Sequence, residues 1–110
     1  MNIYTFEYLY FGNDGYVARC KLCRHLQLGF ICMCLTFNEE DYRAFRMIVH
    51  HHYNKADYSF EDYRKYIVVK TPAEGIYFML TKYEAKRLYE ILEEAENESL
   101  ALSLISLFNQ

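Results

Sequence analysis

Apolar and polar positions alternate in blocks that change period along the chain. Residues 3–11 are dense in aromatic and β-branched side chains and read as a strand. Gly12-Asn13-Asp14-Gly15 follows, a hairpin signal, since Gly, Asn and Asp tolerate the left-handed backbone that tight turns use. Residues 16–20 form a second strand. After a short basic stretch, residues 26–37 are almost continuously apolar and predict one long third strand covered on both faces. The period then becomes helical. Asn38 caps a helix whose first turn carries Glu39, Glu40 and Asp41, acids that suit its positive end. Tyr42, Phe45, Val49 and His52 mark its inner stripe, and it ends near Tyr53-Asn54. Residues 55–63 read as a connection. Residues 64–71 and 76–80 predict two more strands around the turn Pro72-Ala73-Glu74-Gly75. Thr81-Lys82-Tyr83-Glu84 is a capping box that opens a second helix with Ala85, Leu88, Leu92 and Ala95 facing inward.

Residues 36–49 and 79–92 align without gaps. Asn38 matches Thr81, Asp41 matches Glu84, and Tyr42, Phe45, Ile48 and Val49 match Ala85, Leu88, Ile91 and Leu92. The pattern predicts one α+β domain over residues 1–110. Two β-β-α repeats, 16–54 and 64–98, follow an N-terminal hairpin strand. They share one antiparallel sheet of about five strands with both helices packed on one face. Residues 99–110 form an apolar C-terminal tail interrupted by Ser99, Ser103 and Ser106, into which the second helix runs or breaks.

Composition changes this picture in two places. The chain has 12 Tyr, 8 Phe and no Trp. So many phenol groups cannot all be buried, and a Tyr-rich strand face suits a protein interface. The net charge of -3 argues against nucleic acid as a partner, despite the local basic group Arg19, Lys21 and Arg24. Glu90, Glu93, Glu94, Glu96 and Glu98 read as a solvated helix face. The first residues lack the positive start and long apolar run of a signal peptide, and the longest apolar stretch, residues 30–35, is too short to span a membrane. The expected setting is cytoplasmic, where the four Cys are thiols or metal ligands.

Cys20-Lys21-Leu22-Cys23 is the chemistry-bearing motif. A two-residue spacer presents two thiolates to one zinc ion, and His25 is the nearest third ligand, with a fourth available from a second protomer. The same pair can cycle as a dithiol; lying between strands it lacks the helix N-terminus that activates such pairs, and Arg19, Lys21 and Arg24 could depress the thiol pKa instead. As inert thiols it would simply form a turn. In a straight strand Cys32 would lie about 20 Å beyond the strand's start, too far to share that ion. Cys32 and Cys34 are instead expected on the core face with Leu26, Leu28 and Phe30. His50, His51 and His52 face different directions on a helix and cannot hold one ion together. No nucleophile elbow, P-loop, HExxH or dinucleotide fingerprint occurs, so no enzyme active site is expected.

Cys20-x-x-Cys23 before Leu26-Gln27-Leu28-Gly29-Phe30, with Thr71-Pro72-x-x-Gly75 and Leu80-Thr81-x-x-Glu84 later, resembles a family of short uncharacterised bacterial proteins of the Bacteroidetes type, a domain of unknown function. The likeness covers most of the chain. It implies a bacterial cytoplasmic setting and makes the cysteine pair a family feature, while supplying no catalytic residue. Such members follow the cysteines with Phe-Gly, whereas here Gly29 precedes Phe30.

The expected function is a non-enzymatic binding or regulatory module that forms a homo-oligomer or binds another protein. Leu100, Leu104, Leu107 and Phe108 are the candidate interface, since the tail carries more leucine than a helix packed on one side needs. A zinc-stabilised domain using Cys20, Cys23 and His25 is the first alternative, and a thiol redox protein the second.

Overall fold

The computed structural model of the protein describes residues 5–55 and 63–109. Strands β1 (Phe6–Gly12), β2 (Gly15–Cys20), β3 (Leu26–Phe30) and β4 (Met33–Phe37) precede helix α1 (Glu39–Lys55). Strands β5 (Ile67–Lys70) and β6 (Tyr77–Leu80) then lead into helix α2 (Lys82–Phe108). The class is α+β. Six antiparallel strands form two sheets, one in the order β1-β2-β3-β4 and one containing β5 and β6, where about five strands in one sheet were expected. Residues 3 and 4 of the expected first strand, residues 56–62 of the connection and residue 110 of the tail lie outside the described residues.

The difference arises at Ile31-Cys32. The long apolar run folds back on itself there, pairing Phe30 with Met33, Leu28 with Leu35 and Leu26 with Phe37. A two-residue hairpin turn favours positive φ at its first central position, which Gly usually supplies. Here Ile31 takes φ 57. Nothing in Ile-Cys announces a turn, so sequence pattern alone runs through it. The reversal also changes parity: Leu26, Leu28 and Phe30 face the core before the turn, and Met33, Leu35 and Phe37 after it. Cys32 therefore sits exposed in the turn and Cys34 exposed on the opposite face, contrary to their expected core placement. The turn at Asn13-Asp14 forms where predicted, yet neither residue adopts the positive φ invoked for it.

Both helix starts follow local chemistry. Asn38 Oδ1 accepts from the Asp41 amide at 2.7 Å. At α2 the Thr81 hydroxyl accepts from the Glu84 amide at 3.1 Å, while the Glu84 carboxylate accepts from the Thr81 amide at 2.9 Å. The two caps lead into matching buried positions: Phe37, Tyr42, Phe45 and Val49 in one hairpin-helix unit, Leu80, Ala85, Leu88 and Leu92 in the other.

The core joins the inner face of the four-stranded sheet, both helices and the small sheet. Phe45 of α1 is fully buried between Phe37 of β4 and Phe78 of β6, with ring centroids 5.3 and 6.2 Å away. Phe78 in turn meets Phe30 of β3 edge-on at 6.2 Å. A bulge at Leu9 adds one residue to β1 and turns that side chain into the core. Arg87 of α2 reaches back to the first hairpin, where Nε donates to Asp14 Oδ2 at 2.7 Å and Nη2 to the Tyr10 hydroxyl at 3.1 Å. Arg46 Nη2 donates to Glu93 at 2.9 Å and links the helices.

Two predictions follow from these contacts. Left-handed backbone costs a β-branched residue about 1–2 kcal/mol, and a new glycine gives back about 0.4–1 kcal/mol through the freer unfolded chain. Ile31→Gly should then stabilise the fold by roughly 0.5–1 kcal/mol, seen as a higher urea midpoint at unchanged slope. A lower midpoint would mean that the Ile31 side chain contributes packing that outweighs the strain. The second prediction concerns acid. The hydrogen bond from Arg87 holds the Asp14 carboxyl below its ordinary value of 3.8. Its stabilisation is complete above that value and is lost as pH falls through the lower folded value. Urea titrations from neutral to strongly acidic pH should show wild type losing more stability than Asp14→Asn below about pH 3.8, and parallel curves would refute the assignment.

Candidate functional site

The cysteine motif forms the β2–β3 loop. The Arg24 amide donates to the Cys20 carbonyl at 2.9 Å, and the Cys20 amide donates to the His25 carbonyl at 2.9 Å. The chain thus makes one turn of α-type hydrogen bonding and leaves it at Arg24, whose φ is 66. This turn aims backbone N–H groups at the first sulfur. The Cys23 amide donates to Cys20 Sγ at 3.4 Å. That amide foremost, then the Cys23 thiol and the Leu22 amide, hold the Cys20 thiol below its usual value, against the opposing effect of burial. The pair was expected to lack such help because it lies between strands; a single loop turn provides it.

Cys20 is buried, while Cys23 and His25 are exposed. Among the described residues no three His, Cys, Asp or Glu side chains converge as a metal-holding group. Cys20, Cys23 and His25 share the loop without forming such a set. Cys32 and Cys34 belong to the far end of β3 and to β4; all four cysteines are free thiols. Cys34 lies beside the Tyr16 hydroxyl at 3.2 Å, and that hydroxyl donates to Gln27 at 3.0 Å. His50 and His51 are exposed at the end of α1 and His52 is half-buried.

Arg19 precedes the loop and faces the core side of β2. It is 8% exposed, donates to Glu7 through Nε and Nη2 at 2.8 and 2.6 Å, and donates to Ser99 Oγ of α2 at 2.8 Å. The basic cluster Arg19, Lys21 and Arg24 is therefore no continuous surface patch. Arg19 and Arg24 instead line a cavity of about 250 Å³ with Tyr42, Arg43 and Arg46 of α1 and Ser99 of α2. The Tyr42 hydroxyl and Arg46 Nε are buried without a hydrogen-bond partner among the described residues. Sequence reasoning missed this group. Tyr42 was read as core, and the arginines are scattered along the sequence from Arg19 to Arg46; only the meeting of β2, α1 and α2 gathers them.

The predicted tail is helical and continues α2 without a break to Phe108. Of its apolar residues Leu102 alone packs against the core. Leu100, Leu104, Ile105 and Leu107 are 55–63% exposed and Phe108 is 87% exposed. No charged residue occurs from Ser99 to Asn109. Ile105 joins the four residues named from sequence. No helix of the described residues is long and apolar enough to cross a membrane.

The outer face of the four-stranded sheet carries a second aromatic group. The Tyr8 ring meets Phe11 at 5.4 Å and Tyr16 at 6.2 Å. Phe11 and Tyr16 also border a cleft of about 680 Å³ between the hairpin tips and the start of α2. Its one arginine, Arg87, is committed to Asp14, Tyr10 and Glu90.

No curated protein and no solved structure matches the chain. One family model does, described as a family of unknown function, DUF6686, and it spans residues 2–108. Both hairpin-helix units, the cysteine loop and the apolar end of α2 fall inside that span, and the chain belongs to family DUF6686.

Proposed function

We propose that the protein is a small non-enzymatic binding or regulatory module that self-associates through the C-terminal part of α2. The observation that supports this is the uncharged, exposed apolar surface of Leu100, Leu104, Ile105, Leu107 and Phe108. Contiguous apolar surface of this kind marks interaction sites. A twofold pairing sets the same patch against itself, so like charges on the stripe would be brought together; here there are none. Ala101 and Ser103 between the larger residues permit close helix approach.

Sedimentation velocity on the full chain tests the reading. Wild type should associate with rising concentration, and the double variant Leu104→Glu, Leu107→Glu should remain monomeric. Because both side chains face solvent, its melting at concentrations where wild type is monomeric should stay within about 0.5 kcal/mol of wild type. A wild-type chain that stays monomeric at the highest attainable concentration would defeat the proposal.

A second reading treats Cys20 and Cys23 as a thiolate site, either for zinc, with further ligands from His25 or a second copy, or for redox exchange. The amide donors on Cys20 Sγ favour it, because thiolate is the reactive and metal-binding form. Native mass spectrometry of chelator-free protein separates the two. Bound zinc, lost together with several kcal/mol of stability in Cys20→Ser, Cys23→Ser, would support the metal. A metal-free chain whose Cys20 alkylates with a midpoint well below pH ~8.5 would support redox exchange. A metal-free chain with an ordinary thiol would leave an inert turn.

A further inference from the structure

We propose that the cavity between α1, the β2–β3 loop and α2 binds a phosphate group. Two buried polar atoms carry the argument. Tyr42 is 5% exposed, and its hydroxyl and Arg46 Nε lack a partner among the described residues. They are four residues apart on α1 and so occupy the same face, one turn from each other. Both line the same cavity.

The chemistry of these atoms restricts the ligand. An arginine Nε is a donor only, so its missing partner is an acceptor. The Tyr42 hydroxyl could donate or accept, but burial foremost, and then the negative charge of Glu96, push its pKa well above its usual value of 10.0. It stays protonated at neutral pH and can donate as well. Two donors one turn apart, on residues that line one space, call for an oxyanion, and burying them unpaired is costly.

The lining is densely charged. Arg19, Arg24, Arg43 and Arg46 line the space together with Glu39 and Glu96. Three of them already hold carboxylates, Glu7, Glu39 and Glu93, without using all five donors of a guanidinium. Arg43 has no ion pair among the described residues. Ser99 Oγ accepts from Arg19 and keeps its own proton to donate. At about 250 Å³ the cavity is below the usual range for drug-sized ligands and suits a single small group.

Glu96 also lines the cavity and distinguishes among oxyanions. A carboxylate beside the site repels a fully deprotonated anion. Phosphate retains a proton near neutral pH and can donate it to Glu96, whereas sulfate has none to give. Acetate is smaller and offers two acceptor oxygens instead of three or four. The same phosphate chemistry could come from free inorganic phosphate or from a phosphomonoester, and the two separate by adding glycerol phosphate as an additional ligand.

The test is isothermal titration and thermal melting of the full chain with inorganic phosphate, sulfate, acetate and chloride at matched ionic strength. Phosphate should bind saturably and raise the melting temperature, and the other three should not. Arg46→Lys keeps a cation beside Glu93 but removes Nε, and Tyr42→Phe removes the hydroxyl alone. Each should weaken phosphate roughly tenfold or more, the loss of one hydrogen bond to a charged group. Glycerol phosphate binding at least as tightly as inorganic phosphate would assign the ester, and weaker binding the free ion. Equal effects of sulfate and phosphate would reduce the effect to charge screening and overturn the proposal, as would phosphate binding indifferent to both substitutions. Should Tyr42→Phe fail to fold, the wild-type anion series and Arg46→Lys decide the matter.

Discussion

The fold depends on the packing of one ring, Phe45. The four-stranded sheet and the β5–β6 hairpin share no ladder hydrogen bonds, so backbone pairing does not hold them together. The side chains between them do. Phe45 fills the space between Phe37 on the large sheet and Phe78 on the small one, and Phe78 extends the contact to Phe30. An isolated two-stranded hairpin is marginal in water, so β5 and β6 need this apolar backing to persist. Aromatic contacts of this kind add directional preference to area burial, which helps fix the angle between two sheets that share no backbone pairing.

The sequence reading succeeded where information is local and failed where it is not. Asn38 and Thr81 are recognisable because a cap is complete within four residues, and both side chains make the bonds their spacing implies. The equal offsets of caps and inner stripes were visible for the same reason, but the hairpin preceding α1 is β3–β4, so that unit begins at Leu26 and not at residue 16 as expected. The Ile31-Cys32 turn was not visible, because its backbone demand contradicts its residue types and is imposed by the pairing on either side. One hidden turn was enough to misplace Cys32 and Cys34, since strand parity reverses across it. The cavity around Tyr42 and Arg46 was hidden differently: its residues are ordinary one by one and significant only when the helices cross β2.

Helix α2 changes character along its length. Its first part buries Ala85, Leu88, Ile91, Leu92 and Ala95, and Arg87 ties it to the first hairpin. Ser99 is held by Arg19, and past it only Leu102 keeps contact with the core. Packing and tertiary hydrogen bonding thus act on the first five turns, through Ser99, while the rest of the helix depends on propagation, the Leu102 contact and whatever covers its leucines. The cysteine loop, the arginine-lined cavity and the start of this projecting segment meet at one corner, because Arg19 lies beside Cys20 in sequence and touches Ser99 in space.

The bulge at Leu9 bears on how copies of this protein can meet. β1 and β4 are the two edges of the large sheet, and an exposed edge invites another strand to add to it. The extra residue in β1 breaks the even spacing of its free amides and carbonyls and increases the local twist, which makes that edge a poor template. β4 is only five residues long and offers little more. Extension of the large sheet, the route to uncontrolled fibre growth, is therefore discouraged at its bulged β1 edge.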